Sequence, residues 1–411
     1  MNPRLATTAL LLAAALAMPS AVVAQLPGSV SHSDLAGFGA AAHVISGAFG
    51  GLLITDTGSP PASDARYSQV YHVAIGVYAP QPDSGGGATQ SWSRRFVVHA
   101  PDASGAAIAD SVARMLLLLH AEIYRRLHMD HPDDQPTVSV WLTAADEVGL
   151  AQDTGGEQFK DQIYLFNLFA QRSPTEWARE TAHEYGHFAL PGITGFTSPE
   201  AWANGYLGQR LLLMWVAQDA ASGALPADQI PFVTPAQLNG YLEKQVTPLL
   251  RDEMRTGPDE HTLQRRDAAG MDAYTGLVCY IDAVYGSRVL LNALALTAPT
   301  REEAEPHAID FLRGAKLAVA GANVLRITPP ATIAPGARLK FSVYVPAGQF
   351  AVREGPGIRH WQLPDGVKGL YVNSQTSLAV AVPGWQMITL DAGKHAGGEW
   401  LQLNRAGSTP P

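Results

Sequence analysis

The segment SPTEWARETAHEYGHFALPG, residues 173–192, has the signals of one complete helix. It opens with a serine-proline pair and a glutamate in the positions that form a capping box. It ends on a proline-glycine pair, which is a natural stop. Within it, residues 183–187 read HEYGH, so two histidines lie four positions apart. That spacing puts both imidazoles on one face of the helix, one turn apart.

Two histidines at this spacing, with a glutamate beside the first, form the HExxH pattern of catalytic zinc sites. His183 and His187 can each give one ring nitrogen to the same ion. Glu184 is placed to take a proton from a water molecule without binding the ion itself. The pattern predicts one Zn²⁺ per chain. A catalytic zinc also needs a third protein ligand, and this motif does not supply it.

The residues around the motif resemble the gluzincin metallopeptidases, particularly the peptidase-MA-like group, and more distantly the catalytic domains of alanyl aminopeptidases and thermolysin. The resemblance covers residues 94–295. It rests on a strand and long helix before TVSVWLT (137–143), on DQIYLFNL (161–168) and on PEAWANGYLGQRL (199–211). The resemblance implies an α+β fold in which a mixed sheet with an edge strand is joined to a helical lobe.

In gluzincins the third ligand is a glutamate of the following helix, which implies Glu200 here. Ser198 and Pro199 predict the start of that helix, so Glu200 would stand in its first turn. Asn204, one turn later, takes the place of an aspartate that accepts a hydrogen bond from the first histidine. The resemblance therefore implies that Asn204 orients His183.

Two departures from the gluzincin pattern leave other third ligands open. Many relatives read W-L-N-E-G, with the ligand directly before the glycine, whereas residues 202–205 read WANG. The segment between His187 and Glu200 is also shorter than in thermolysin. The alternative ligands are the acidic residues of the following helices, Asp219, Glu243 and Glu260.

The resemblance also implies a group that stabilises the transition state and a surface that binds substrate. Residues 271–286 resemble the aminopeptidase segment whose tyrosine donates a hydrogen bond to the oxyanion, which implies Tyr274. The helical spacing of apolar residues around Tyr274 favours a core position equally. The strand at residues 163–168 would be the sheet edge that binds extended peptide, through Ile163, Tyr164, Leu165 and Phe166.

The remaining segments predict the organisation of the chain. An apolar N-terminal run that ends in small residues is typical of a secretory signal. From residue 324, short alternating runs separated by Pro and Gly are typical of a small β-sandwich. The predicted regions are a signal sequence (1–24), a β-rich region (25–90), a zincin-like catalytic domain (91–323), a C-terminal β domain (324–405) and a disordered tail (406–411).

The composition of the full chain argues against some classes of partner. The net charge of −9 argues against a nucleic-acid partner, which would require a basic stripe. No apolar run is long enough for a membrane span. The only cysteine is Cys279, so no intramolecular disulfide can form. The signal sequence predicts an exported protein, either periplasmic or extracellular.

These features predict a secreted zinc metallopeptidase that acts on a peptide or protein substrate, glycoproteins included. An aminopeptidase-type G-x-M-E-N segment is missing from the sequence, which favours an endopeptidase. The alternative is a catalytically degenerate gluzincin scaffold that acts as a secreted glycan- or protein-binding module. The displaced glutamate and the amide at Asn204 favour that alternative.

Overall fold

The computed structural model describes residues 43–46, 52–55, 69–78, 92–100, 105–127, 137–142, 156–159, 161–166, 173–297, 308–355, 357–362, 368–370, 376–393 and 398–406. The signal sequence predicted at 1–24 and most of the tail predicted at 406–411 lie outside these residues. The described part contains both helices and sheets, so the prediction of an α+β protein is confirmed.

One sheet of seven strands forms the N-terminal part of the fold. Its strands are β1 (His43–Ser46), β2 (Leu52–Thr55), β3 (Gln69–Tyr78), β4 (Trp92–Ala100), β5 (Thr137–Leu142), β6 (Gly156–Phe159) and β7 (Gln162–Leu165). The strand order is β1-β2-β3-β4-β5-β7-β6. β4, β5 and β7 run parallel, while the other neighbouring pairs are antiparallel. The sheet is therefore mixed.

The domain boundary expected between residues 90 and 91 falls inside this sheet. β3 pairs with β4 along its length, from Gln69 opposite Ala100 to Tyr78 opposite Trp92. The β-rich region at 25–90 thus supplies strands to the same sheet as the motif-bearing part of the chain. Alternation within a strand predicts the strand but does not say which other strand it joins.

The edge-strand prediction is wrong for residues 163–166. β7 lies between β5 and β6, so β6 is the outermost strand on this side among the described strands. Ile163, Leu165 and Phe166 are buried in the core, and Tyr164 is half-buried. The sequence of β6, GEQF, has no apolar alternation, so it carries little strand signal of its own. It forms a strand because its backbone pairs antiparallel with β7.

Ten α-helices are described. They are α1 (Ala106–Leu127), α2 (Pro174–Ala189), α3 (Asn204–Leu207), α4 (Leu213–Ser222), α5 (Pro235–Gln245), α6 (Thr247–Thr256), α7 (Glu260–Leu263), α8 (Ala268–Tyr285), α9 (Ser287–Leu296) and α10 (Ala308–Gly321). A π-helical turn at Gly208–Leu212 joins α3 to α4. α1 packs against β3 and β4, and α2 packs against β6 and β7. Residues 235–256 form two helices, α5 and α6, and residues 268–296 form two more, α8 and α9.

The motif helix α2 begins as its sequence predicts. Ser173 Oγ accepts a hydrogen bond from the Glu176 amide at 3.2 Å, and the Glu176 carboxylate accepts one from the Ser173 amide at 2.9 Å. This capping box satisfies two amides that the first turn leaves without helical partners. The helix ends at Ala189, before the proline-glycine pair.

The second predicted helix start, at Ser198 and Pro199, is wrong. Residues 191–203 are irregular, and helix α3 begins only at Asn204. Long-range hydrogen bonds hold this segment. The Ala203 amide donates to the Ile193 carbonyl at 2.9 Å, and Arg266 donates to the Gly195 carbonyl at 2.7 Å. These contacts override the local preference of a serine-proline pair for a helix start.

The C-terminal residues form two antiparallel sheets. One sheet has the strand order β12-β13-β10-β15-β8 and the other β11-β14-β9. Their strands are β8 (Val324–Ile327), β9 (Arg338–Val345), β10 (Gly348–Glu354), β11 (Ile358–Gln362), β12 (Lys368–Leu370), β13 (Thr376–Val380), β14 (Gly384–Ala392) and β15 (Leu401–Arg405).

The C-terminal sheets pack directly on the helices. Tyr280 of α8 donates a hydrogen bond to the Ser342 carbonyl of β9 at 2.6 Å, and Tyr285 lies within hydrogen-bonding distance of both backbone groups of Tyr344. The buried apolar residues of the two parts belong to one continuous cluster. In the described part of the chain, no helix combines the length and apolar character needed to cross a membrane.

Candidate metal centre

Three side chains converge at the C-terminal half of α2. His183 Nε2 and His187 Nε2 lie 3.2 Å apart. A carboxylate oxygen of Glu200 lies 3.1 Å from the first of these nitrogens and 3.5 Å from the second. Among the described residues this is the only group of three or more His, Cys, Asp or Glu side chains whose possible ligand atoms cluster so closely. The two histidines come from one helix and Glu200 from the irregular segment that follows it.

Gly205, at the start of α3, leaves the space into which these three side chains point. A Cβ added to Gly205 would lie 2.6 Å from His183 Nε2 and still closer to His187 Nε2. Any side chain here would therefore displace the imidazoles. Glu200 brings its carboxylate to the same space from the preceding segment.

Each imidazole is also hydrogen-bonded through Nδ1, the ring nitrogen that points away from the other two candidate ligands, to a side-chain amide oxygen. His187 Nδ1 donates to Asn204 Oδ1 at 2.8 Å, and His183 Nδ1 donates to Gln209 Oε1 at 3.1 Å. The Asn204 amide nitrogen donates to the His187 carbonyl at 3.0 Å, which requires its oxygen to face the ring. With Nδ1 protonated, both Nε2 atoms can present a lone pair to a cation.

The partner of Asn204 differs from the one expected. Asn204 orients the second histidine, His187, whereas the first histidine is oriented by Gln209, a residue without a motif signal. Position 204 stands at the N-terminus of α3, next to the last turn of α2, and His183 lies one turn further from it. The expectation assumed that Glu200 and Asn204 share one helix, but α3 begins only at Asn204.

The surroundings of Glu200 favour its ionised form. Burial by itself would raise the pKa of the Glu200 carboxyl, but when the His183 and His187 rings carry a proton at Nε2 and no ion is bound, their hydrogen bonds and charge outweigh burial and hold this pKa at about 2. The second oxygen of Glu200 is buried and has no hydrogen-bond partner among the described residues. A buried anionic oxygen without a partner is costly unless a cation or a donor satisfies it.

These residues fit a zinc ion by the chemistry and spacing of their ligand atoms. Two imidazole nitrogens and one carboxylate oxygen are the ligand set of many catalytic zinc sites. Ligand atoms bound about 2.0–2.1 Å from a tetrahedral zinc lie about 3.3–3.4 Å from one another. The measured separations of 3.1, 3.2 and 3.5 Å surround that value. The group therefore leaves room for an ion and one further ligand.

Glu184 lies beside this group, under strand β6. Its side chain is buried, and a Cβ added to Gly156 of β6 would lie 2.6 Å from Glu184 Cγ. The backbone of the outermost strand therefore passes directly over the Glu184 carboxylate, and only a glycine fits there. This contact joins the predicted base to the edge of the sheet.

Tyr274, for which the sequence left two positions open, lies in the core. Tyr274 is 1% exposed, and its ring packs edge-on against Phe311 with the ring centroids 5.7 Å apart. Burial raises the pKa of the Tyr274 phenol. The core position that the sequence left open for Tyr274 is the one observed, so this phenol is closed off from a substrate.

Tyr206, in contrast, stands next to the three candidate ligands. Its half-buried ring lies edge-on to the His183 ring, with the centroids 5.2 Å apart, and Arg210 lies over its face. Burial raises the pKa of the Tyr206 phenol, and the negative charge of Glu200 raises it further. Tyr206 therefore keeps its proton and can act as a hydrogen-bond donor.

The alternative third ligands lie elsewhere. Asp219 is paired with Arg125 and Arg126 at 2.6 and 2.8 Å, and Glu260 is paired with Lys316 at 3.0 Å. Glu243 is exposed on α5. None of these three belongs to the group around His183. Among the acidic residues proposed as third ligand, the structure brings only Glu200 to the histidines.

Comparison with known proteins adds no family assignment. A scan against protein-family models and a search of curated proteins both find no match to this chain. The likeness to gluzincins therefore rests on the HExxH motif and the residues around it.

Proposed function

We propose that the protein is a zinc-dependent metallopeptidase that hydrolyses peptide bonds. One observation carries this proposal: the ligand atoms of His183, His187 and Glu200 lie 3.1–3.5 Å from one another, with a buried glutamate at their side. Two neutral imidazoles and one carboxylate leave a net positive charge when they hold a divalent cation, which favours activation of a nucleophile.

In the proposed reaction, the residues of the site have separate roles. When bound, zinc would polarise a carbonyl group and lower the pKa of a water molecule toward neutrality. Glu184 accepts the proton of the attacking water on its carboxylate and delivers it to the leaving amine. The Tyr206 phenol donates a hydrogen bond to the negative charge that develops on the carbonyl oxygen. His183, His187 and Glu200 bind the ion.

The position of β6 supports a peptide substrate. An extended peptide that pairs with the outer side of β6 would add a strand to the sheet and run past Glu184. The role that the sequence suggested for residues 163–166 thus passes to Gly156–Phe159. Because strand addition uses backbone hydrogen bonds along an extended chain, it suits cleavage within a polypeptide. We therefore propose an endopeptidase, exported to the periplasm or the exterior.

The sharpest test of this function is Glu184→Gln. The variant should retain one equivalent of zinc and lose cleavage of casein or of a peptide library, because an amide cannot accept the proton. Glu243→Gln is the matched control, since Glu243 is exposed and lies outside the site. It should keep both zinc and activity. Unchanged cleavage by Glu184→Gln, with zinc bound, would rule out the assignment of the base.

The alternative, a binding module on an inactive peptidase scaffold, is separated by the same measurements. An enzyme should contain stoichiometric zinc and lose cleavage when treated with a chelator. A binding module would be purified without zinc, or with zinc and no cleavage of any peptide in the library.

A further inference from the structure

Gln209 lies at the back of the metal-binding group and joins two side chains. Its amide oxygen accepts a hydrogen bond from His183 Nδ1 at 3.1 Å and another from the Arg179 guanidinium at 2.9 Å. Because guanidinium only donates, the atom between them must be the amide oxygen. Gln209 itself is 4% exposed. A buried amide with two such partners has a single orientation.

The backbone around Gln209 is built to bring it to this position. Gln209 belongs to the π-helical turn at Gly208–Leu212, and such turns are frequent at functional sites. The Tyr241 hydroxyl of α5 donates to the Gln209 carbonyl at 3.2 Å. That bond satisfies a backbone carbonyl in the π-helical turn, where the regular hydrogen-bond pattern of an α-helix is interrupted.

A pair of glycines lets this turn approach α2 closely. A Cβ on Gly186 would lie 2.7 Å from the Gly208 Cα, and a Cβ on Gly208 would lie 2.6 Å from the Gly186 Cα. Neither position can carry a side chain at this separation. The close crossing places Gln209 within reach of His183, one turn before Gly186 on the same helix.

We propose that Gln209, fixed by Arg179, is the residue that positions His183 for the metal ion. This inference rests on the proposed function, because it takes His183 to be a ligand. A neutral amide that already accepts a bond from Arg179 is a weaker acceptor than a carboxylate. With Asn204 as the acceptor for His187, neither histidine has a charged acceptor at Nδ1.

Two substitutions at residue 209 should affect the affinity for zinc differently. Gln209→Met removes the acceptor at similar length and should weaken zinc binding about 10- to 100-fold. Gln209→Glu restores an acceptor and adds charge next to Arg179, so it should bind zinc at least as tightly as the natural protein. A role in packing alone predicts that both variants would bind zinc alike.

The experiment is a competition titration of the metal-free full-length proteins with Zn²⁺ against a chromophoric chelator. Gln245→Met is the matched control, because Gln245 is exposed at the end of α5, and it should leave the affinity unchanged. Co²⁺ spectra of the same proteins report whether His183 keeps its geometry. Thermal unfolding of the metal-free proteins identifies a variant that fails to fold.

The outcomes separate this inference from the proposed function. If the natural protein binds no metal, both are overturned. If it binds zinc and Gln209→Met binds equally tightly, the role of Gln209 is overturned and the metal centre stands. If Gln209→Met does not fold, Gln209→Glu decides, and a weaker affinity than that of the natural protein overturns the inference.

Discussion

Gly205→Ala should abolish metal binding while leaving the fold in place. The added Cβ would lie 2.6 Å from His183 Nε2 and closer still to His187 Nε2. A zinc ion bound to those nitrogens would lie about 2.0–2.1 Å from each. The methyl group therefore occupies the position of the ion, and the two cannot be present together.

The cost to the metal-free fold can be worked out from the contacts. Each imidazole that swings away from the methyl group loses one hydrogen bond, to Asn204 or to Gln209, at about 0.5–1.5 kcal/mol each. Alanine is favoured over glycine in a helix by about 1 kcal/mol, which offsets part of that loss. The metal-free variant should therefore be less stable by about 0–2 kcal/mol.

Zinc content and thermal unfolding with and without zinc measure these two effects separately. The natural protein should gain about 2.7 kcal/mol of stability at a free zinc concentration 100 times its dissociation constant. Gly205→Ala should gain nothing. Gly240→Ala is the control, because a Cβ at Gly240 in α5 meets no atom within 4 Å. The reasoning is refuted if Gly205→Ala binds one equivalent of zinc with natural affinity.

Three further substitutions test other parts of the structure. Tyr206→Phe should keep zinc and lower kcat about 10²- to 10³-fold, measured by steady-state kinetics, because it removes one donor to the oxyanion. Gly156→Ala puts a Cβ 2.6 Å from Glu184 Cγ, so turnover should fall about 100-fold with zinc content unchanged. Burial raises the pKa of Glu253 from 4.5 to about 8, with help from Asp252 and Asp259. Because the folded state holds this proton more tightly, stability should fall between those pH values, and urea unfolding of Glu253→Gln should show about 1–4 kcal/mol more stability than the natural protein at pH 8. An equal pH dependence for the two proteins would contradict that origin.

Sequence reasoning missed the residues that depend on contacts between distant parts of the chain. Gln209 has no motif, and its role follows from the close crossing at Gly186 and Gly208. Gly186 and Gly208 are visible in the sequence as glycines, but the sequence does not show that these two positions meet. Tyr206 lies one residue after the glycine that opens the site, but nothing in its neighbours distinguishes it from a core tyrosine.

The wrong prediction of the edge strand has a similar cause. The sequence predicts a strand here, and residues 162–165 form one, with half-buried and buried side chains alternating along it. Whether that strand lies at the edge depends on β6, whose four residues become a strand only by pairing with β7. Pairing is a property of two segments, and the alternation of one of them does not contain it.

The sequence by itself determined the motif helix and the two histidines on its face. Capping and the helical period act over a few residues, so Ser173, Glu176, His183 and His187 carry all the information needed. Only the tertiary structure decided how Glu200 reaches the histidines, which amide orients each ring and which strand covers Glu184. Those contacts form between segments brought together by packing, and the energies that select them are not local to any one of the segments.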